Sequence, residues 1–411
     1  KVYEPDLATY YNNLANLYST TQRFKESEEM YKAAIEIQER LAKENPKVYE
    51  PDLATYYNNL ANLYSTTQRF KESEKMQKAA KEIQERLAKE NPKVYEPNLA
   101  TYYSSLANLY SDTQRFKESE NMYKAAKEIQ ERLAKENPKV YEPSLALSYS
   151  NLALLYSNTQ RFKESENLMM AAIEIYERLT KENQKVYEPD LARVYNNLAV
   201  LYYDTQRFKE SENLMMAAIE IVERLAKENP KVYEPNLASS YSSLANLYSN
   251  AQRFEESEEM YKAAIEIQER LAKENPKVYE PDLATFYNNL ANLYSTTQRF
   301  KESEEMYKAA IEIQERLAKE NPKVYEPDLA TFYNNLANLY STTQRFKESE
   351  EMYKAAIEIQ ERLAKENPKV YEPDLATFYN NLANLYSTTQ RFKESEKMQK
   401  AAIEIQERLT K

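Results

Sequence analysis

From Leu7 to Tyr18 the apolar residues Leu7, Tyr10, Tyr11, Leu14, Ala15, Leu17 and Tyr18 fall three and four positions apart, the spacing of one face of an α-helix. The polar run Ser19-Thr20-Thr21-Gln22 breaks the pattern. Phe24, Ser27, Met30, Tyr31, Ala34, Ile35, Ile37 and Leu41 then resume it. The spacing predicts helix A over 7–19 and helix B over about 23–44, the second about 30 Å long. Glu4-Pro5-Asp6 reads as the start of helix A, since proline suits the edge of a helix and acidic groups suit its positive end. Thr21 is placed to cap helix B. Asn45-Pro46 ends helix B, because the residue before proline disfavours the helical region and proline cannot donate to the preceding turn. Lys47 to Glu50 then lead to the next helix at Pro51.

The whole pattern recurs nine times, in blocks 1–46, 47–92, 93–138, 139–184, 185–230, 231–276, 277–322, 323–368 and 369–411, the last three residues short. A period of this length marks a solenoid or array, so the 411 residues are expected to form a single quasi-one-dimensional all-α domain, 1–411. The residue after the conserved-position proline is Asp6, Asp52, Asn98, Ser144, Asp190, Asn236, Asp282, Asp328 and Asp374 in turn, each a good N-cap. One helical pair cannot cover its own apolar faces. Stacking must do so, each buried Tyr, Leu, Ile or Phe contributing about 1.5–3 kcal/mol before chain entropy is counted. The other side of helix B carries Glu28–Lys32, Glu36–Arg40 and Glu39–Lys43, acid before base at four residues' separation, and is expected to be a solvated face.

Composition narrows the chemistry. Charged residues are 30% of the chain and the net charge is −10, with no basic cluster of the kind that neutralises phosphates, so nucleic acid is not an expected partner. No apolar run approaches the length of a membrane span. His, Cys, Gly and Trp are all absent. Without His and Cys the chain lacks the usual general base near neutral pH, the usual thiol nucleophile and the commonest metal ligands. The expectation is a non-enzyme with no metal and no cofactor.

Tyr11, Leu14, Ala15 and Tyr18 of helix A, with Phe24, Ser27, Tyr31 and Ala34 of helix B, resemble the tetratricopeptide repeat in its longer form, as in kinesin light chains; the phrase Asn12-Asn13-Leu14-Ala15-Asn16-Leu17-Tyr18 is especially close to it. That family often has glycine where this chain has Ala15 and Gln22. A non-glycine residue in a left-handed turn costs roughly 1–2 kcal/mol, so the A–B turn is expected to avoid positive φ. The resemblance implies a right-handed superhelix whose helices A line a concave groove at the positions of Thr9, Asn12, Asn16, Ser19 and Thr20. It also implies a protein or peptide partner, and a cytoplasmic address unless the chain is a fibre subunit.

The groove positions implied in this way are Asn12, Asn16, Asn58, Asn62, Asn108, Arg193, Asn196, Tyr203, Asn246, Asn288, Asn292, Asn334, Asn338, Asn380 and Asn384. A side-chain amide both donates and accepts, so a ladder of them can hold the backbone of an extended peptide without reading its sequence. The same residues can equally be structural, tying neighbouring helices. In the fourth and fifth copies Leu154 and Val200 replace the Asn16 type, and Arg193, close to Tyr203 and Asp204, is the one basic residue at these positions. The seventh and eighth copies are identical, and the first differs from them only in Tyr10 for Phe286. Faces this alike, with no polar capping helix, suit end-to-end stacking into a filament. The alternative is an adaptor that binds an extended peptide along the groove.

Overall fold

The computed structural model describes residues 3–410, and its regular structure is entirely helical over that span. Lys1, where the first block begins, and Lys411, where the last block stops, lie outside the described residues. The helices fall into two compact units, 1–206 and 207–411. The first holds α1 (Glu4–Thr20), α2 (Phe24–Glu44), α3 (Pro46–Thr66), α4 (Phe70–Glu90), α5 (Pro92–Asp112), α6 (Phe116–Glu136), α7 (Pro138–Asn158), α8 (Phe162–Glu182) and α9 (Gln184–Asp204). The second holds α10 (Phe208–Glu228), α11 (Pro230–Asn250), α12 (Phe254–Glu274), α13 (Pro276–Thr296), α14 (Phe300–Glu320), α15 (Pro322–Thr342), α16 (Phe346–Glu366), α17 (Pro368–Thr388) and α18 (Phe392–Leu409). Odd numbers are helices A and even numbers helices B.

Helix B ends where its sequence says: α2 stops at Glu44, and Asn45 is extended at φ −145°, ψ 85° ahead of Pro46. Helix A starts earlier than expected. Lys47 to Glu50 are helical, because Pro46 needs no intrahelical donor at the first position and its fixed φ suits a helix start. The helix then runs through Pro51, so Asp52 and its counterparts lie within the helix and are not its N-caps. Thr21 does not cap helix B either. Its hydroxyl turns back to the Leu17 carbonyl at 2.9 Å, and the N-cap position belongs to Arg23.

The A–B turn also departs from expectation, since all nine glutamines of the Gln22 type have positive φ, between 58° and 62°. The reason is the end of helix A. Arg23 N–H donates to the Tyr18 carbonyl at 2.8 Å and Thr21 N–H to the Leu17 carbonyl at 3.1 Å, a closure that satisfies the last carbonyls only if the residue between them is left-handed. Gln298→Gly should therefore raise the stability of the second unit by about 1 kcal/mol in urea unfolding, the left-handed penalty less the added chain entropy of glycine. No gain, or a loss, contradicts this reading of the turn.

Within each unit every helix packs on its neighbours in chain order. Alanines set the A–B distance: Ala15 and Ala34 are fully buried, and the Ser27 hydroxyl donates to the Ala15 carbonyl at 2.8 Å. The core of one copy is completed by helix A of the next. Ala238, Ala245, Tyr261, Ala264 and Ile265 of α11 and α12 share one cluster with Leu283, Phe286, Leu290, Leu293 and Tyr294 of α13. The same cluster recurs between α1–α2 and α3, and between α15–α16 and α17. Leu17, on α1, is 57% exposed, whereas Leu293 at the same place in the repeat is 3% exposed.

Candidate functional site

The solvent-facing stripe of each helix A is built from the ninth, thirteenth, sixteenth and twentieth residues of the repeat, which period 3.6 places on one side. Among these, Asn16, Asn62 and Asn108 are exposed in the first unit, and Asn246, Asn292, Asn338 and Asn384 in the second. Five of them are held from behind by a tyrosine; behind Asn62 and Asn384 the same place is Gln77 and Gln399. The hydroxyl of Tyr31, buried on helix B, donates to Asn16 Oδ1 at 2.5 Å, and Tyr261 and Tyr353 do the same to Asn246 and Asn338, also at 2.5 Å. Tyr123 and Tyr307 bond Asn108 and Asn292 likewise. With Oδ1 taken, the amide nitrogen is the group left toward solvent.

The Asn12 type behaves differently. Asn12, Asn288 and Asn334 are buried, and their Oδ1 atoms accept from Asn59, Asn335 and Asn381 of the following copy at 3.0, 3.1 and 3.0 Å. These amides join one helix A to the next. Asn58 and Asn196 are half-buried, and Asn380 is exposed. Arg193 donates to Asp190 on its own helix at 2.8 Å. It is not close to Tyr203, which lies ten residues, or about 15 Å, further along α9.

Helix B presents ion pairs that are not a freely solvated face. Glu28 is only 18% exposed: Arg69 of the next copy donates to it at 2.5 Å, the Tyr64 hydroxyl at 3.0 Å, and Lys32 lies 2.7 Å away. Arg69 also stacks over the Tyr64 ring, 4.3 Å from its centroid. Burial raises the Glu28 pKa, but the hydrogen bonds from Arg69, Lys32 and Tyr64 outweigh it and bring it down to about 2. Glu120, Glu258, Glu304 and Glu350 reach about 2 by the same balance. Arg40 pairs across its own copy with Glu4 at 3.3 Å, and Glu39 accepts from Tyr57 of the next copy at 2.5 Å. These are the contacts in place of the expected Glu36–Arg40 and Glu39–Lys43 pairs. Burial, then the bond to Glu39, raises the Tyr57 pKa.

The missed signal in the sequence was a pairing of positions. Copies with Asn at the Asn16 place carry Tyr or Gln at the Tyr31 place, and the two with Leu154 and Val200 carry Met169 and Met215 there. A buried phenol without its acceptor would be left unsatisfied, and methionine removes the hydroxyl. Among the described residues no group of three or more acidic side chains is placed to hold a metal ion, and no helix is long and apolar enough to cross a membrane.

Stacked helical hairpins, each closed by its neighbour and displaying one stripe of helix A, define an α-solenoid of the interaction type. The tetratricopeptide repeat model matches residues 7–46, 52–132, 144–224, 190–270, 236–316, 282–362 and 328–408, and the chain belongs to that family. No curated protein matches it. Among solved structures it is similar to BtubC (BKLC) from P. vanneervenii, with 25% identity and TM-score 0.50, over 61% of this chain and 92% of that one. The apo quorum sensor NprR from B. thuringiensis shares the fold at 15% identity and TM-score 0.56, over 99% and 100% of the two chains. So does a signal transduction ATPase with a tetratricopeptide repeat sensor from Pyrococcus horikoshii, at 16% identity and TM-score 0.56, over 92% of this chain and 52% of that one.

Proposed function

We propose that the chain is a non-catalytic interaction scaffold in which the helix-A face of each unit holds an extended polypeptide. The observation that carries this reading is the captive amide. A tyrosine from behind occupies Oδ1 of Asn16, Asn108, Asn246, Asn292 and Asn338, so each turns an N–H donor outward on a rigid helix. Donors recurring at one place of the repeat suit backbone carbonyls, which an extended chain offers whatever its side chains. The Asn12 type supports the face by joining adjacent helices A.

Aspartate in place of these asparagines keeps the acceptor for tyrosine and removes the outward donor. Peptides selected on the intact chain from a phage-displayed random dodecapeptide library should bind N16D/N108D/N246D/N292D/N338D at least tenfold more weakly, with helicity unchanged. Equal binding by the variant contradicts the proposal.

A second reading, self-association, rests on α1. Leu7, Tyr10 and Leu17 are exposed there, while Leu53, Tyr56 and Leu63 at the same places of α3 are buried against the preceding copy. A further face of the same kind, on a second chain, would cover them. Sedimentation velocity should then show particles that grow with concentration, and a single species at every concentration rules it out.

A further inference from the structure

Three consecutive helices A of the first unit, α5, α7 and α9, differ from all the others along the exposed stripe. The sixteenth place, Asn in seven copies, is Leu154 on α7 and Val200 on α9, which are 37% and 40% exposed. The ninth place of α7 adds Leu147, 43% exposed, where most copies have Thr. The twentieth place is Thr or Asn in seven copies but Asp112 on α5 and Asp204 on α9, either side of the apolar pair. Helices α7 and α9 are in contact.

The exchange at Leu154 and Val200 goes with Met169 and Met215 behind them, yet each keeps more than a third of its surface exposed, so the pair also turns apolar surface toward solvent. Asp112 and Asp204 are the last residues of their helices, where the carbonyl end of the dipole disfavours a carboxylate. Neither is ion-paired among the described residues, and the basic group on this stripe, Arg193, is already paired with Asp190. An apolar pair flanked by two uncompensated carboxylates is complementary to an aliphatic group beside a cation.

We infer that α5, α7 and α9 form a specificity patch for an extended polypeptide segment carrying an aliphatic side chain next to a lysine or arginine. The aliphatic group lies on Leu154 and Val200, and the cation reaches Asp112 or Asp204. The spacing fits. The sixteenth and twentieth places are one helical turn, about 6 Å, apart, and side chains two residues apart on an extended chain are about 7 Å apart. The inference rests on the reading of the helix-A face as a peptide-binding one and assigns the sequence preference that amide donors alone do not give.

The test is a random dodecapeptide phage selection on three full chains: the wild type, N16D/N108D/N246D/N292D/N338D, and a variant given the array's own residues at the patch, D112T/L154N/M169Y/V200N/D204T/M215Y. Circular dichroism checks that each remains helical. The expected result is that wild-type selections enrich an aliphatic residue within two positions of Lys or Arg, and that synthetic peptides of that pattern bind the patch variant at least tenfold more weakly. Raising the salt should weaken wild-type binding, as charge pairing at a surface requires. Enrichment of another pattern, or the same pattern on wild type and patch variant alike, overturns the inference and leaves the peptide-binding face standing. No enrichment on any chain overturns both.

Discussion

Leu293→Ala is expected to lower the stability of the second unit by about 2–5 kcal/mol, the range for emptying a well-packed leucine site. Leu17→Ala, at the same place in the repeat, should change the first unit by less than about 0.5 kcal/mol, as exposed substitutions do. The two side chains have the same sequence neighbours, from Asn12 to Arg23 and from Asn288 to Arg299. They differ in what covers them. Leu293 sits in a cluster with Ala245, Tyr261 and Ile265 of the preceding copy, and Leu17 is largely in water. Urea unfolding followed by far-ultraviolet circular dichroism measures both. Equal effects would mean that burial is local to the hairpin and that the neighbour adds nothing.

Acid should destabilise the protein steeply and over a defined window. Glu28, Glu120, Glu258, Glu304 and Glu350 have folded-state pKa values of about 2, against 4.5 for an ordinary glutamate. A depressed carboxylate contributes stability that is fully present above the unfolded value and is lost as pH falls toward the folded one. The loss therefore runs from about pH 4.5 down to about pH 2. Because the arginine partners are more than a third exposed, screening reduces each contribution to on the order of 1 kcal/mol, or about 5 kcal/mol for the five. The tyrosines work in the opposite direction. Burial and the bonds to glutamate raise the Tyr57, Tyr103 and Tyr287 values, so their contribution is complete below about pH 10 and is lost above it. With no His and no Cys, no side chain of ordinary pKa titrates in between. Urea midpoints should be flat from about pH 5 to about pH 9 and fall on either side, and a step near pH 6–7 contradicts this assignment.

Periodicity carried the helices, because three-and-four spacing is a property of the chain alone, and the end of helix B was legible in Asn45-Pro46. The start of helix A was not. Pro51 drew the boundary to itself, while Pro46 five residues earlier is the true first turn and the later proline is accommodated inside the helix. The left-handed Gln22 was hidden for a related reason: without glycine no residue announces a positive φ, and hydrogen-bond closure at the end of helix A decides it. Glu28 looked like half of a local pair with Lys32, since a one-dimensional reading finds partners four residues away and not Arg69, forty-one residues on. The exposure of Asn16 followed from its place on the helix. That tyrosine holds its oxygen and frees its nitrogen required the fold, although the joint exchange of Asn with Tyr for Leu or Val with Met recorded it in the sequence.

The account depends on each hairpin drawing its core from the next, and a series of one, two and three copies, 277–322, 277–368 and 231–368, tests this most directly. Thermal unfolding followed by circular dichroism should show the single copy unfolded and a midpoint that climbs with each copy added. A single copy that folds cooperatively, with the same midpoint as three, would contradict it.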